Sequence, residues 1–441
     1  MLRNSRKQLI VLGLIKYKNA YQKYHKKLTT IKTRKMKSQL KHLAVGLSLM
    51  LFIASCKSTK LATPESVGMR SAALIEASAK MKEFTDNKRF SGIHTRVIKD
   101  GKVIHDERYG FANIEANEEM KENSMYRIFS MTKPITATAL MTLHDQGKLS
   151  LDDKVSKYIP EFANTMVYKK IDGKHGTEPQ KNEVTLRHLL THTSGIPYGW
   201  NWSYTDSVYA RKQFMRKDWT IEEMAKDLAT VPLKFQPGTK WNYGLGLDIV
   251  GRVVEVVSGQ NLRDYFKSAI LDPLKMNDTD FYTPEDKKDR MVKIYNYNKK
   301  EKKLKSGRDA LATGIAKLPK LFLGGAGLVS TVDDYEKFAR MLLNKGELNG
   351  VRILSEKAVK LMMTDHLEEG VDFGRKGVGH GLAGTVDLTS GEYSWSGAAS
   401  TKFWVNPTDN LIVICYTQMM PTDHLYANEF KKIIDKGIIK E

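Results

Sequence analysis

The chain has 441 residues, enough for two or three domains of ordinary size, and at 41% hydrophobic and 27% charged it has the composition of a globular protein with a sizeable core. Its net charge of +21 invites a nucleic-acid reading, yet residues 1–56 hold 13 Lys or Arg and no Asp or Glu, which leaves +8 for the remainder. That is modest for the size and argues against a dedicated nucleic-acid binder.

From Met36 the sequence runs through Lys37, Lys41 and His42 into an apolar stretch from Leu43 to Ala54, then Ser55 and Cys56. A basic start, a short apolar run and small residues before a cleavage point describe an export signal over 36–56, too short for an ordinary membrane span. Ile53-Ala54-Ser55-Cys56 resembles a bacterial lipobox. The resemblance implies cleavage before Cys56, lipid on its sulfur, and a membrane-anchored lipoprotein facing the periplasm. Lys57 is not the Asp associated with inner-membrane retention, which points to the outer membrane. Residues 1–35 are long and basic for such a leader, so Met36 competes with Met1 as the start, and an uncleaved anchor helix is the alternative to a cleaved signal. Cys415, in the strand-like run Leu411 to Tyr416, reads as a core residue with no disulfide partner once Cys56 carries lipid.

Residues 57–66 are short and polar, fitting a tether, and 67–88 read as a helix through Met69, Leu74, Ile75 and Met81. A hairpin follows, from Ile93 to Ile98, across Lys99-Asp100-Gly101-Lys102, and on from Val103 to Tyr109. Ser130-Met131-Thr132-Lys133 then places a hydroxyl three residues before an amine, on one helix face, so that the amine can take the hydroxyl's proton. The helix after it has Pro134 in its first turn and Gly147 at its end, and its positive end suits a developing oxyanion. Chance supplies such a tetrad roughly one to three times in a chain this long. Ser38-Gln39-Leu40-Lys41 matches as well, inside the leader.

The middle, about 136–300, reads as helices (Ile221 to Leu228, Val250 to Val257, Leu262 to Leu274) with polar, exposed insertions at Tyr168 to Glu183 and Asn296 to Arg308. Within it Pro237-Gly238-Thr239-Lys240-Trp241-Asn242-Tyr243 offers a phenol that is either a proton relay for Ser130 or a packing residue. His188 and His192, four apart, invite a metal reading, but no carboxylate or third His has a supporting spacing; neither metal nor cofactor is expected. Tyr198, Trp200, Trp202 and Tyr204 either pack a core or line an acyl pocket. Near the end Ser400 to Asn406 and Leu411 to Thr417 form a second hairpin, and a helix runs from about His424 to Ile434.

Ser130-Met131-Thr132-Lys133, the Pro-Gly-x-x-Trp-x-Tyr run ending at Tyr243, His188 to Gly195, Gly325 to Thr331 and Trp395-Ser396-Gly397-Ala398-Ala399 together resemble the serine beta-lactamase-related superfamily, nearest to class C beta-lactamases and the esterases built on their fold. The likeness spans about 67–436 with its elements in order. It implies an α/β (α+β) fold: an antiparallel sheet flanked by helices, made from both chain ends (67–135 and 301–441), with an inserted helical domain (136–300). It further implies Ser130 as the acylated nucleophile, Lys133 as its partner base, Tyr243 as proton relay, and the amides of Ser130 and Ala398 as oxyanion hole; which of Lys133 and Tyr243 is the initial base stays open. Trp395-Ser396-Gly397 would be the third motif, before the strand that holds substrate. Two departures bear on substrate. Leu245 stands where the lactamases have Asn, and Trp395 where they have the Lys of Lys-Thr-Gly. Lys305-Ser306-Gly307 is a poor substitute, lying in a charged loop. The expected function is a serine hydrolase of small-molecule esters or amides, first an esterase, then a beta-lactamase or a peptidase for D-amino-acid peptides of the cell wall. A lipoprotein that binds wall fragments without catalysis is the reading of another class.

Overall fold

Asp100 and Gly101 both adopt positive φ (49° and 72°), the type I′ geometry whose twist matches the strands it joins. It links β1 (Gly92–Lys99) to β2 (Lys102–Asn113) with Lys99 opposite Lys102. These strands, the short β3 (Glu118–Glu119), and five from the other end of the chain, β4 (Val378–His380), β5 (Thr385–Asp387), β6 (Tyr393–Ser396), β7 (Lys402–Asn406) and β8 (Leu411–Tyr416), make one antiparallel sheet in the order β4-β5-β6-β7-β8-β1-β2-β3. The chain ends therefore meet where β8 pairs β1, with His94 opposite Tyr416 and Lys99 opposite Leu411. The structure is a computed structural model that describes Lys23 and residues 61–439, except 217, 308–313 and 316. The export signal and Cys56 lie outside the described residues.

The strand period of two sorts β8 between two cores. Leu411, Val413 and Cys415 pack with Met81 and Phe430, from α1 (Ser71–Asp86) at one end of the chain and the C-terminal helix at the other. Ile412, Ile414 and Tyr416 face the opposite layer, built around α2 (Thr132–Asp145). Every residue of β8 is buried, which accounts for its unbroken apolar run, and burial pushes the Cys415 thiol up and leaves it inert.

Within the middle of the chain lie α3 (Tyr204–Lys212), α4 (Ile221–Ala229) and α5 (Gly246–Ser258); after it come α6 (Val332–Leu343) and α7 (Leu425–Gly437). The helix expected over 262–274 starts as an α-helix at Leu262–Phe266 and widens to a π turn at Lys267–Leu271, which keeps Phe266, Ile270 and Leu271 all buried. Both polar insertions are exposed, and each folds as a ladder: Met166–Ile171 on Lys174–Pro179, with Lys169 2.6 Å from Glu178, and Tyr295–Asn298 on Lys303–Ser306. The end of the expected tether is tied down, because Ala62 N–H donates to Val103 O at 2.9 Å and Pro64–Val67 forms a 3-10 turn. No helix among the described residues is long and apolar enough to cross a membrane.

Candidate active site

Helix α2 is buried on all sides from Thr132 to Leu143, so its N-terminus opens at a fixed place inside the protein. Pro134 is its third residue, where the missing N–H costs nothing. Just before it, Phe129 takes a φ of +43°, unusual for a side-chain-bearing residue, and the resulting turn sets Ser130 at the positive end of the helix.

Three groups reach Lys133, which is fully buried. Its Nζ donates to Ser130 Oγ at 3.3 Å, Tyr198 OH at 2.9 Å and Gly325 O at 2.6 Å. Tyr243 OH donates to Ser130 Oγ at 2.5 Å, and its ring lies 4.7 Å from Lys133 Nζ. The expected trio of Ser130, Lys133 and Tyr243 thus comes together. Tyr243 sits just ahead of α5, and that approach depends on Gly244, where a Cβ would fall 1.7 Å from Ile196 O.

Asp248, in the first turn of α5, completes the charge balance. Its Oδ1 accepts from Gly325 N–H at 2.8 Å, and the same glycine's carbonyl accepts from Lys133. Burial pushes the Asp248 carboxyl up to about 6, opposed by the Lys133 charge and the Gly325 amide. Gly325 has no room for a side chain, since a Cβ would stand 2.6 Å from Asp248 Oδ2. Burial and the neighbouring Tyr243 and Asp248 hold the Tyr198 phenol well above its ordinary range, so it stays protonated beside Lys133.

The third motif ends β6: Trp395 pairs Phe403 and Ser396 pairs Lys402, so two of its residues are strand rather than only a prelude to one. Gly397 then turns the chain, its N–H donating to Thr401 O at 2.8 Å. A Cβ on Gly397 would meet Ile128 O at 2.3 Å, which shows how closely the motif abuts the turn carrying Ser130. Ala398 packs against the cluster of Phe129 and Ala399. Trp395 borders Tyr243 (ring centroids 5.7 Å), His192 (6.2 Å) and His380 (5.5 Å). His192 is buried 4.7 Å from the Tyr243 ring, and burial with His380 and Lys133 nearby keeps it neutral. His188 turns elsewhere, its Nδ1 accepting from Thr185 N–H at 3.2 Å. Among the described residues no group of His, Cys, Asp or Glu is placed to hold a metal ion. Lys305 pairs with Glu301 at 2.8 Å in the exposed ladder.

Tyr198, Gly325 and Asp248 were not assigned to the site from sequence. The composition around Tyr198 leaves it as packing or pocket wall; Asp248 carries one signal, a carboxylate among the apolar residues of a helix.

The family model for beta-lactamase matches residues 77–436. The chain belongs to the beta-lactamase family. An uncharacterized protein of Mycobacterium tuberculosis is 32% identical over 78% of this chain and 89% of its own length. Esterase EstB of Burkholderia gladioli is 36% identical over 45% of this chain and 49% of its own. Among solved structures, EstCE1, described as a hydrolase with promiscuous acyltransferase activity, superposes with a TM-score of 0.70 at 24% identity, covering 82% of this chain and 98% of that one. The chain is a serine hydrolase of the beta-lactamase fold, with a mixed α/β architecture in which a large antiparallel sheet is flanked by helices.

Proposed function

We propose that this protein hydrolyses small, uncharged carboxylic esters through an acyl-enzyme on Ser130. The observation that carries the reading is the convergence of Tyr243 OH and Lys133 Nζ on one hydroxyl, 2.5 and 3.3 Å away, at a helix N-terminus. Ser130 Oγ attacks the ester carbonyl and its proton passes to this pair. The amides of Ser130 and Ala398 receive the oxyanion, the C–O bond to the alcohol breaks, and Tyr243 protonates the departing oxygen. Water then attacks the acyl carbon, gives its proton back through the same pair, and frees Ser130.

An ester is favoured over an anionic lactam by what stands around the nucleophile. Leu245, 1% exposed, offers no amide, and Trp395 offers no cation for a substrate carboxylate. Labelling with a fluorophosphonate probe tests the nucleophile: a folded protein with no Ser130-dependent labelling refutes the enzyme reading and leaves a binding lipoprotein. Parallel assays with p-nitrophenyl acetate and a chromogenic cephalosporin test the substrate class, and turnover of the cephalosporin alone reverses the order in favour of a lactamase or D-amino-acid peptidase. Anchoring through Cys56 in the outer membrane, facing the periplasm, belongs to the same proposal; mass spectrometry of the mature N-terminus checks it.

A further inference from the structure

One side chain removed from Ser130, Lys133 and Tyr243 lies a cavity of about 320 Å³ walled by Tyr198, Trp200, Tyr209, Phe214, Met215 and Leu245. None of the residues lining it carries a charge. Two of the six tie it to the chemistry. Tyr198 contacts Lys133 through its hydroxyl at 2.9 Å while its ring lies 5.1 Å from that of Tyr243, and Leu245 follows Tyr243 by two residues. Trp200 comes from the loop before α3, and the remaining wall from α3 and the segment after it, where Gln213 caps the helix in the left-handed conformation at φ 51°.

Core packing does not explain this arrangement. Trp200 stacks on Tyr198 with ring centroids 4.0 Å apart and planes within 10°, and it lies 6.4 Å from Tyr243, yet 66% of its surface faces solvent. A tryptophan held rigidly against the two site tyrosines with its far side open is placed to cover something that enters beside them. The loop that presents it packs closely on α3: Gly199 has a φ of +85°, and a Cβ there would meet Ala210 N at 2.7 Å.

We infer that this cavity binds the hydrocarbon portion of the ester, an unbranched or aromatic apolar group on the carbon or oxygen side of the scissile bond. The inference rests on the hydrolase reading above and adds its substrate class. The volume is at the small end for ligand sites and holds roughly ten water-sized groups, so one chain or ring fits rather than a polycyclic body. Each methylene moved from water into such a wall improves kcat/KM about four-fold until the pocket is full.

The test uses two ester series on the purified chain: p-nitrophenyl esters with acyl groups of two to twelve carbons, and acetates of alcohols over the same range. The expected result is a rise of about four-fold per methylene in one series, levelling near eight carbons. In Ala210→Trp, which fills the cavity from α3, the ratio of the eight-carbon to the two-carbon kcat/KM falls at least ten-fold. In Met215→Ala, which enlarges it, the optimum moves to longer chains. The series that responds identifies the acyl or the alcohol side. A flat profile in both series, or the wild-type profile in folded variants, overturns the pocket while acetate turnover and Ser130 labelling keep the hydrolase reading intact. Absence of both turnover and labelling overturns the two together.

Discussion

Replacing Tyr243 by Phe removes one oxygen and little else. The ring keeps its neighbours, His192 at 4.7 Å, Tyr198 at 5.1 Å and Trp395 at 5.7 Å between centroids, so the fold loses a single hydrogen bond, about 1 kcal/mol. Ser130 Oγ is left with Lys133 Nζ alone, at 3.3 Å, near the outer limit of a useful hydrogen bond. Loss of a positioned acid–base group costs about 10² to 10⁴ in rate, or about 3 to 5 kcal/mol of transition-state stabilisation. The loss depends on the leaving group. Nitrophenolate departs without a proton, whereas an alkoxide needs one, so Tyr243→Phe lowers kcat/KM far more for ethyl acetate than for p-nitrophenyl acetate. Lys133→Met impairs both esters alike, because Lys133 is given no part in protonating the leaving group and its loss acts through Ser130 alone; it also strands Tyr198 OH and Gly325 O and costs about 1 to 3 kcal/mol of stability. The assay is steady-state hydrolysis of both esters with urea unfolding as the control. Losses within three-fold of wild type for both esters, in folded Tyr243→Phe, refute the assignment of Tyr243 as proton relay.

Three further outcomes follow from burial and charge. Gly244→Ala drives a Cβ to 1.7 Å from Ile196 O, a clash with backbone that side-chain rotation cannot relieve, and it lowers the unfolding free energy by more than about 3 kcal/mol or prevents folding; a urea midpoint near wild type contradicts it. Lys234→Met leaves the buried Asp206 carboxylate without the part-exposed cation 2.8 Å away but with Ser203 still donating to it, and costs about 1 to 3 kcal/mol at pH 7, a deficit that shrinks as Asp206 is protonated in acid; equal stability of variant and wild type at pH 7 is the contrary result. Burial pushes His380 down to about 4, so between pH 6.5 and 4 the unfolded chain holds a proton that the native site refuses. Stability therefore falls as pH falls through that window, by at most about 3 kcal/mol from this residue. Asp248, raised to about 6, works in the opposite sense below that pH and offsets part of the loss. Urea midpoints at pH 7 and 4.5, compared between wild type and His380→Gln, measure the difference; identical pH dependence in both removes His380 as the cause.

Much of the site was legible because part of it is local. Ser130 and Lys133 are three apart on one chain segment, and any helix entered at that point sets them side by side. The hairpin at Asp100-Gly101 was equally visible, since its two positive φ values suit those residue types. The aromatic run from Tyr198 to Tyr204 was not resolved by its composition. Packing and pocket-lining call for the same residue types, and the structure divides them: Tyr198 is buried against Lys133, whereas Trp200 and Trp202 face solvent.

The sequence by itself determined the two hairpins β1–β2 and β7–β8, the helices α1, α2, α4, α5 and α7, the candidate nucleophile with its neighbouring amine, and the substitutions at Leu245 and Trp395; the strands β3 to β6, the helices α3 and α6 and the two exposed ladders emerge only in the structure. Tertiary structure decided the rest of the charge environment. Lys133 takes its remaining partners from Tyr198 and Gly325, 65 and 192 residues further along the chain, and the Gly325 peptide bridges it to Asp248. No periodicity carries such information. A backbone carbonyl is the same group at every position, and Gly325 becomes a ligand for an amine only because α2 and α5 close around it and leave no space for a Cβ.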